Sequence, residues 1–221
     1  MDIENFNASY RNLKSIEQLS FQGYDMSKIK KIRLNNNKIQ ETKTNGFLSF
    51  VNLTELYLNQ NLIEAIEYSS FNGLMSLSIL DLSGNKLKNL LTGTFHGLTN
   101  LKYLNLANNQ IKNADFNNLP FLGLINLLSL DLSGNNLQNI FSFTLSNLSK
   151  LKILNLKQAN IEFIDKQAFN NGFGLCLSES KTTSIYIFGN AVANNYPNNK
   201  NEACYLIYKD DEKISEIKLL E

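Results

Sequence analysis

Leucine and isoleucine recur along this chain in a fixed frame, LxxLxLxxNxL, with polar or variable residues between them. The copies are "IKKIRLNNNKI" from Ile29, "LTELYLNQNLI" from Leu53, "LSILDLSGNKL" from Leu77, "LKYLNLANNQI" from Leu101, "LLSLDLSGNNL" from Leu127 and "LKILNLKQANI" from Leu151, spaced 24, 24, 24, 26 and 24 residues apart. The alternation at the centre of the frame predicts a short strand that sends its leucines inward and the residues between them outward. The second half of each unit is patterned too. Phe47, Phe71, Phe95 and Phe169 fall at the nineteenth position, Leu145 replaces them in the fifth copy, and the two extra residues of the fourth copy bring Phe121 into that role. No unit of this size buries its apolar face alone. Stacked units bury one continuous core, with each strand paired in parallel to the next, so the pattern predicts a solenoid.

The frame degenerates at both ends. "IEQLSFQGYDM" at Ile16 reads as an incomplete first copy, and "TTSIYIFGNAV" from Thr182 as a degenerate last one, which makes eight units. The division is residues 1–28 as an N-terminal cap and partial repeat, 29–174 as six repeats, and 175–221 as the degenerate last repeat and C-terminal cap. In the tail, "YLIYKDDEKISEIKLLE" suits a strand and then a short helix. The ninth position holds Asn37, Asn61, Asn85, Asn109, Asn135 and Asn190, where the chain turns out of the strand. A buried amide there pairs with backbone groups of adjacent turns. Ala159 interrupts this ladder, with Asn160 one place further on as its candidate substitute.

With these six copies the chain resembles the leucine-rich repeat family, in its 24-residue subtype bearing a phenylalanine near the end of each unit. The resemblance implies an α/β solenoid, a horseshoe with a parallel β-sheet on the concave face and irregular or short helical segments on the convex face. In secreted members the caps are commonly closed by cystines, which implies a bridge between Cys176 and Cys204. The chain departs from the family in lacking the tryptophan-containing four-cysteine C-terminal cap, and "FNASYRNLKSI" resembles the strand of an N-terminal cap without its cysteines.

If the consensus is scaffold, function lies where the copies differ, on the outward strand positions. The fifth position reads Ser20, Arg33, Tyr57, Asp81, Asn105, Asp131, Asn155 and Tyr186, and the third reads Gln18, Lys31, Glu55, Ile79, Tyr103, Ser129, Ile153 and Ser184. Tyrosine and arginine are common interface anchors. The candidate ligand-binding residues are therefore Arg33, Tyr57, Ile79, Asp81, Tyr103, Asn105, Asp131 and Ile153, with Tyr57, Ile79 and Tyr103 on three successive strands. A basic run at 28–38, with Lys30, Lys31 and Arg33 outward, would suit an acidic partner, but later repeats do not continue it and it reads as a solvated face.

Composition narrows the function. Lysine plus arginine number 21 against 20 acidic residues, so no overall field favours nucleic acid, which is not expected as a partner. The longest apolar stretches are broken by polar residues, so no transmembrane segment is expected. The start "MDIENFNASY" has no secretory signal pattern, which leaves an intracellular chain or a piece of a longer one. The single histidine, His96, lies on the outer half of its unit, and no metal, nucleophile or phosphate-loop motif is present, so neither a cofactor nor catalysis is expected. The three sequons, at Asn7, Asn52 and Asn147, are no more than an asparagine-rich composition predicts. The expected function is a non-catalytic protein-recognition module, the ligand-binding part of a cell-surface or secreted receptor or adhesion protein that binds through its concave face. The alternatives are a cytoplasmic scaffold or inhibitor and the substrate-recognition domain of a larger enzyme.

Overall fold

The structure is a computed structural model that describes residues 4–18, 24–112, 119–141, 145, 148–164, 183–186 and 205–208, with the backbone alone for Gln18, Ile164 and the last two segments. It is a parallel-strand β-solenoid of about six turns with almost no helix. In chain order the strands are β1 (Asn5–Asn7), β2 (Lys31–Arg33), β3 (Glu41–Thr42), β4 (Glu55–Tyr57), β5 (Ala65–Ile66), β6 (Ile79–Asp81), β7 (Tyr103–Asn105), β8 (Ser129–Asp131), β9 (Gln138–Ile140), β10 (Ile153–Asn155), β11 (Ile161–Ile164), β12 (Thr183–Tyr186) and β13 (Tyr205–Tyr208). The main sheet has nine strands in the order β1-β2-β4-β6-β7-β8-β10-β12-β13. Two small outer pairs, β3 with β5 and β9 with β11, lie elsewhere on the coil.

The register follows from the frame. Ile32, Leu56, Leu80, Leu104, Leu130 and Leu154 stand side by side at the strand centres, buried at 2% exposure or less. The flanking columns face away from the core, as a two-residue repeat requires. Behind the sheet, Phe47, Phe71, Phe95 and Phe121 stack with successive ring centroids 6.1, 6.3 and 6.2 Å apart. The last two pairs are nearly coplanar in tilt, at 8° and 4°. Leu145 is buried in the next turn, and Phe169 lies outside the described residues. The return segments are turns closed by backbone bonds three residues long, such as Phe50 to Phe47 and Leu53 to Phe50, both 3.0 Å. Among the described residues, helical geometry is confined to the 3-10 turns Ile16–Gln18 and Met26–Lys28.

The N-terminus corrects the sequence reading. The segment at Ile16 does not supply the strand beside β2: Ile16–Gln18 is a 3-10 turn, and Gln18 takes no place in the third column. Asn5–Asn7 pairs with Lys31–Arg33 instead. This places "IENFNASYRNL" in the frame with Phe6, Ala8 and Leu13 at apolar positions and Arg11 where the asparagine belongs. The offset from Asn5 to Lys31 is the longer 26-residue spacing already present between the fourth and fifth copies, and that was the available signal. The main sheet continues from β1 into β2 across residue 28.

Candidate functional site

The outward columns of the main sheet are built from two registers. One runs Asn5, Lys31, Glu55, Ile79, Tyr103, Ser129, Ile153 and the other Asn7, Arg33, Tyr57, Asp81, Asn105, Asp131, Asn155. A shallow depression of about 160 Å³ opens in this face, lined by Tyr57, Ile79, Leu80, Asp81, Tyr103, Leu104, Asn105, Ser129 and Asp131. It brings together six of the eight residues read as ligand-binding. Arg33 and Ile153 are outside its lining.

Charge is distributed unevenly around Tyr57. Its hydroxyl donates to Glu55 Oε2 at 2.9 Å, and the same carboxylate oxygen pairs with Lys31. Lys31 Nζ and the Arg33 guanidinium carbon lie 6.0 and 5.7 Å from the centre of its ring, within cation–π reach. Burial, then the hydrogen bond to Glu55 and its charge, push the phenol up to about 12. The basic run is thus largely spent internally. Lys31 pairs with Glu55, and Lys30 with Glu4 at 2.6 Å.

Beyond Tyr57 the column turns acidic, and its side chains do structural work that the sequence reading missed. Asp81 Oδ1 accepts from the Ser83 backbone N–H at 2.9 Å and from its hydroxyl at 2.7 Å, and Asp131 does the same with Ser133 at 2.9 and 2.6 Å. Asn105 accepts from the Ala107 N–H at 3.0 Å, and Asn155 from the Lys157 N–H at 3.2 Å. Each side chain closes the chain as it leaves the strand. Burial raises the Asp81 carboxyl above its ordinary value, against the Ser83 bonds that lower it, and the charge of Asp131 adds to the rise. Ser129 and Asn155, placed on the outward columns, are buried at 5% and 8%. Ser129 is short and stands between Tyr103 and Ile153 in its register row.

The repeated hexapeptide "LDLSGN" is explained by the same turn. Gly84 and Gly134 adopt φ of 63° and 65°, and a Cβ on Gly84 would sit 2.4 Å from the Gln60 side chain. The equivalent residues Asn36, Gln60, Asn108 and Gln158 hold φ between 50° and 57°, so the left-handed conformation belongs to the position and glycine is one way to fill it.

Asn37, Asn61, Asn85, Asn109 and Asn135 are buried, and their amides connect consecutive turns. Asn109 is representative: Oδ1 accepts from the Leu87 N–H at 3.1 Å, while Nδ2 donates to the carbonyls of Leu82 and Leu106, both at 3.0 Å. Where Ala159 interrupts the series, its own backbone carbonyl accepts from the Leu137 N–H at 2.8 Å. Asn160 does not stand in for the missing amide; it is exposed and donates to Asn136 Oδ1 at 2.6 Å. Asn190, Cys176 and Cys204 lie outside the described residues.

His96 is exposed on an outer turn, away from the sheet face. Among the described residues no group of three or more His, Cys, Asp or Glu is placed to hold a metal, and no helix is long and apolar enough to cross a membrane. No curated protein matches the chain. A family model described as leucine rich repeat matches residues 51–111, the stretch that carries β4, β5, β6, β7 and the two stacked rings of Phe71 and Phe95. That match covers three of the four strands that line the depression and supports a leucine-rich repeat family for this chain.

Proposed function

We propose that the chain is a non-catalytic protein-recognition module of the 24-residue, phenylalanine-bearing leucine-rich repeat type, and that it binds a protein ligand through the open face of its main sheet, the concave side of a horseshoe. Leucine-rich repeats generally mediate protein–protein recognition. The observation that carries the reading is the depression between Tyr57 and Tyr103, where two aromatic side chains and Ile79 meet on a face whose other side chains cap strands or pair with each other. Aromatic anchors around a recess are the usual centre of a binding patch. Within this proposal the module belongs to a secreted or cell-surface protein, with Cys176 bridged to Cys204.

The test is comparative capture of partners by the wild type, by Tyr57→Ala with Tyr103→Ala, and by His96→Ala on the opposite side. Partners held by the face survive His96→Ala and weaken by about 2 kcal/mol or more in the tyrosine variants, the scale of an interface hot spot. If every partner tolerates the tyrosine changes, the face is not the binding surface. Alkylation of both cysteines without reductant, in protein made under oxidising conditions, would refute the bridge and with it the main support for a secreted origin.

A further inference from the structure

Asn105 and Asn155 make the strand-closing turn at the fifth position with an amide oxygen, so the turn needs an acceptor and not a charge. Asp81 and Asp131 make it with a carboxylate. The turn therefore does not require their negative charge, although Asp131 Oδ2 also accepts from the Asn155 amide at 2.9 Å. That charge is also unfavourable there, because both carboxylates face one depression with only Asn105 between them and Asp81 is drawn out of water. Among the described residues neither takes part in an ion pair, whereas Lys31 is taken by Glu55 and Lys30 by Glu4. The two acids stand two strands apart, about 10 Å. Ile79 and Tyr103 provide an apolar wall beside them, and Tyr57 separates them from Arg33.

We infer that this depression receives a basic side chain, arginine or lysine, from the protein partner, with its aliphatic stem on Ile79 and Tyr103 and its cationic head between Asp81 and Asp131. This rests on the proposed use of the face and specifies what it selects. A long basic side chain suits both halves of the recess, since its methylenes pack on apolar surface while its head takes charge-assisted hydrogen bonds. An acidic partner residue would meet two carboxylates and be excluded.

The experiment is an NMR titration of the intact isotope-labelled chain with four blocked pentapeptides, glycine at every position except a central arginine, lysine, citrulline or glutamate. The expected result is movement of β4, β6, β7 and β8 resonances by the arginine or lysine peptide, about tenfold tighter than citrulline, the worth of one charge-assisted contact. Asp81→Asn keeps its turn acceptor, and unlike a change at Asp131, whose Oδ2 is bonded to Asn155, it does not disturb the next strand, so its spectrum should stay native while the preference disappears. Equal binding of citrulline or glutamate, or a preference that survives Asp81→Asn, overturns the basic-anchor inference and leaves the face reading standing. Absence of movement on these strands with every peptide also overturns it. The face reading is then judged separately by the tyrosine-dependent capture, which does not use these peptides.

Discussion

Replacing Asn109 with leucine removes one amide from the ladder without opening a large cavity, since the two side chains are similar in size. The change deletes the acceptor for the Leu87 N–H and the donor to the Leu82 and Leu106 carbonyls. The carbonyls are not orphaned, because Leu82 also accepts from Asn85 at 2.9 Å and Leu106 from Asn135 at 2.9 Å. Leu87 is different: its N–H loses the side chain that accepts it, inside the core. An unsatisfied buried donor costs about 1 to 3 kcal/mol and each lost neutral bond about 1, so the expected loss is about 2 to 4 kcal/mol. Urea unfolding measures the total, and amide exchange at Leu87 isolates the cause, because a solenoid unfolds in units and its total is shared among turns. Asn160→Leu is the comparison. Its side chain is exposed and bonded to another side chain, so it should cost under about 0.5 kcal/mol, as a surface change does. An Asn109 variant that unfolds like the parent, with Leu87 still protected, would refute the ladder as a source of stability.

Three further outcomes are expected. Phe95, fully buried between the rings of Phe71 and Phe121, should cost about 3 to 5 kcal/mol when changed to alanine, and an unfolding midpoint close to the parent's would show that the turns collapse over the gap. In a spectrophotometric titration of the folded protein one phenol should ionise near 12 and disappear from the curve in Tyr57→Phe; because the folded state keeps that proton after the unfolded chain has lost it, stability falls as pH rises from 10 to about 12. Asp81, raised by burial and by Asp131, holds its proton in the folded state above the ordinary value of 3.8, so its ionisation lowers stability as pH rises through that window. Asp81→Asn should therefore gain stability relative to the parent at neutral pH, with the gap closing below 3.8, and a gap independent of pH would contradict the burial argument.

The sequence by itself determined the stacked strands from β2 onward, the inward leucines and the phenylalanine column, because a repeat that cannot bury its own apolar face has one way to do so when copied every 24 residues. It also gave the contents of each outward column, since a strand alternates sides without regard to its neighbours. Only the tertiary structure decided what those outward residues do. That Asp81 closes a turn depends on where Ser83 lies, and whether Lys31 is available depends on Glu55 one strand away. The incomplete copy read at Ile16 is a 3-10 turn, and the strand beside β2 is Asn5–Asn7, at the start of the segment that resembles a cap strand; it escaped the frame because Phe6 and Ala8 replace two consensus leucines. The interruption at Ala159 was legible as a gap, but that a backbone carbonyl fills it follows from the local turn of the chain, with Gln158 and Asn160 both at positive φ, which no side-chain pattern encodes.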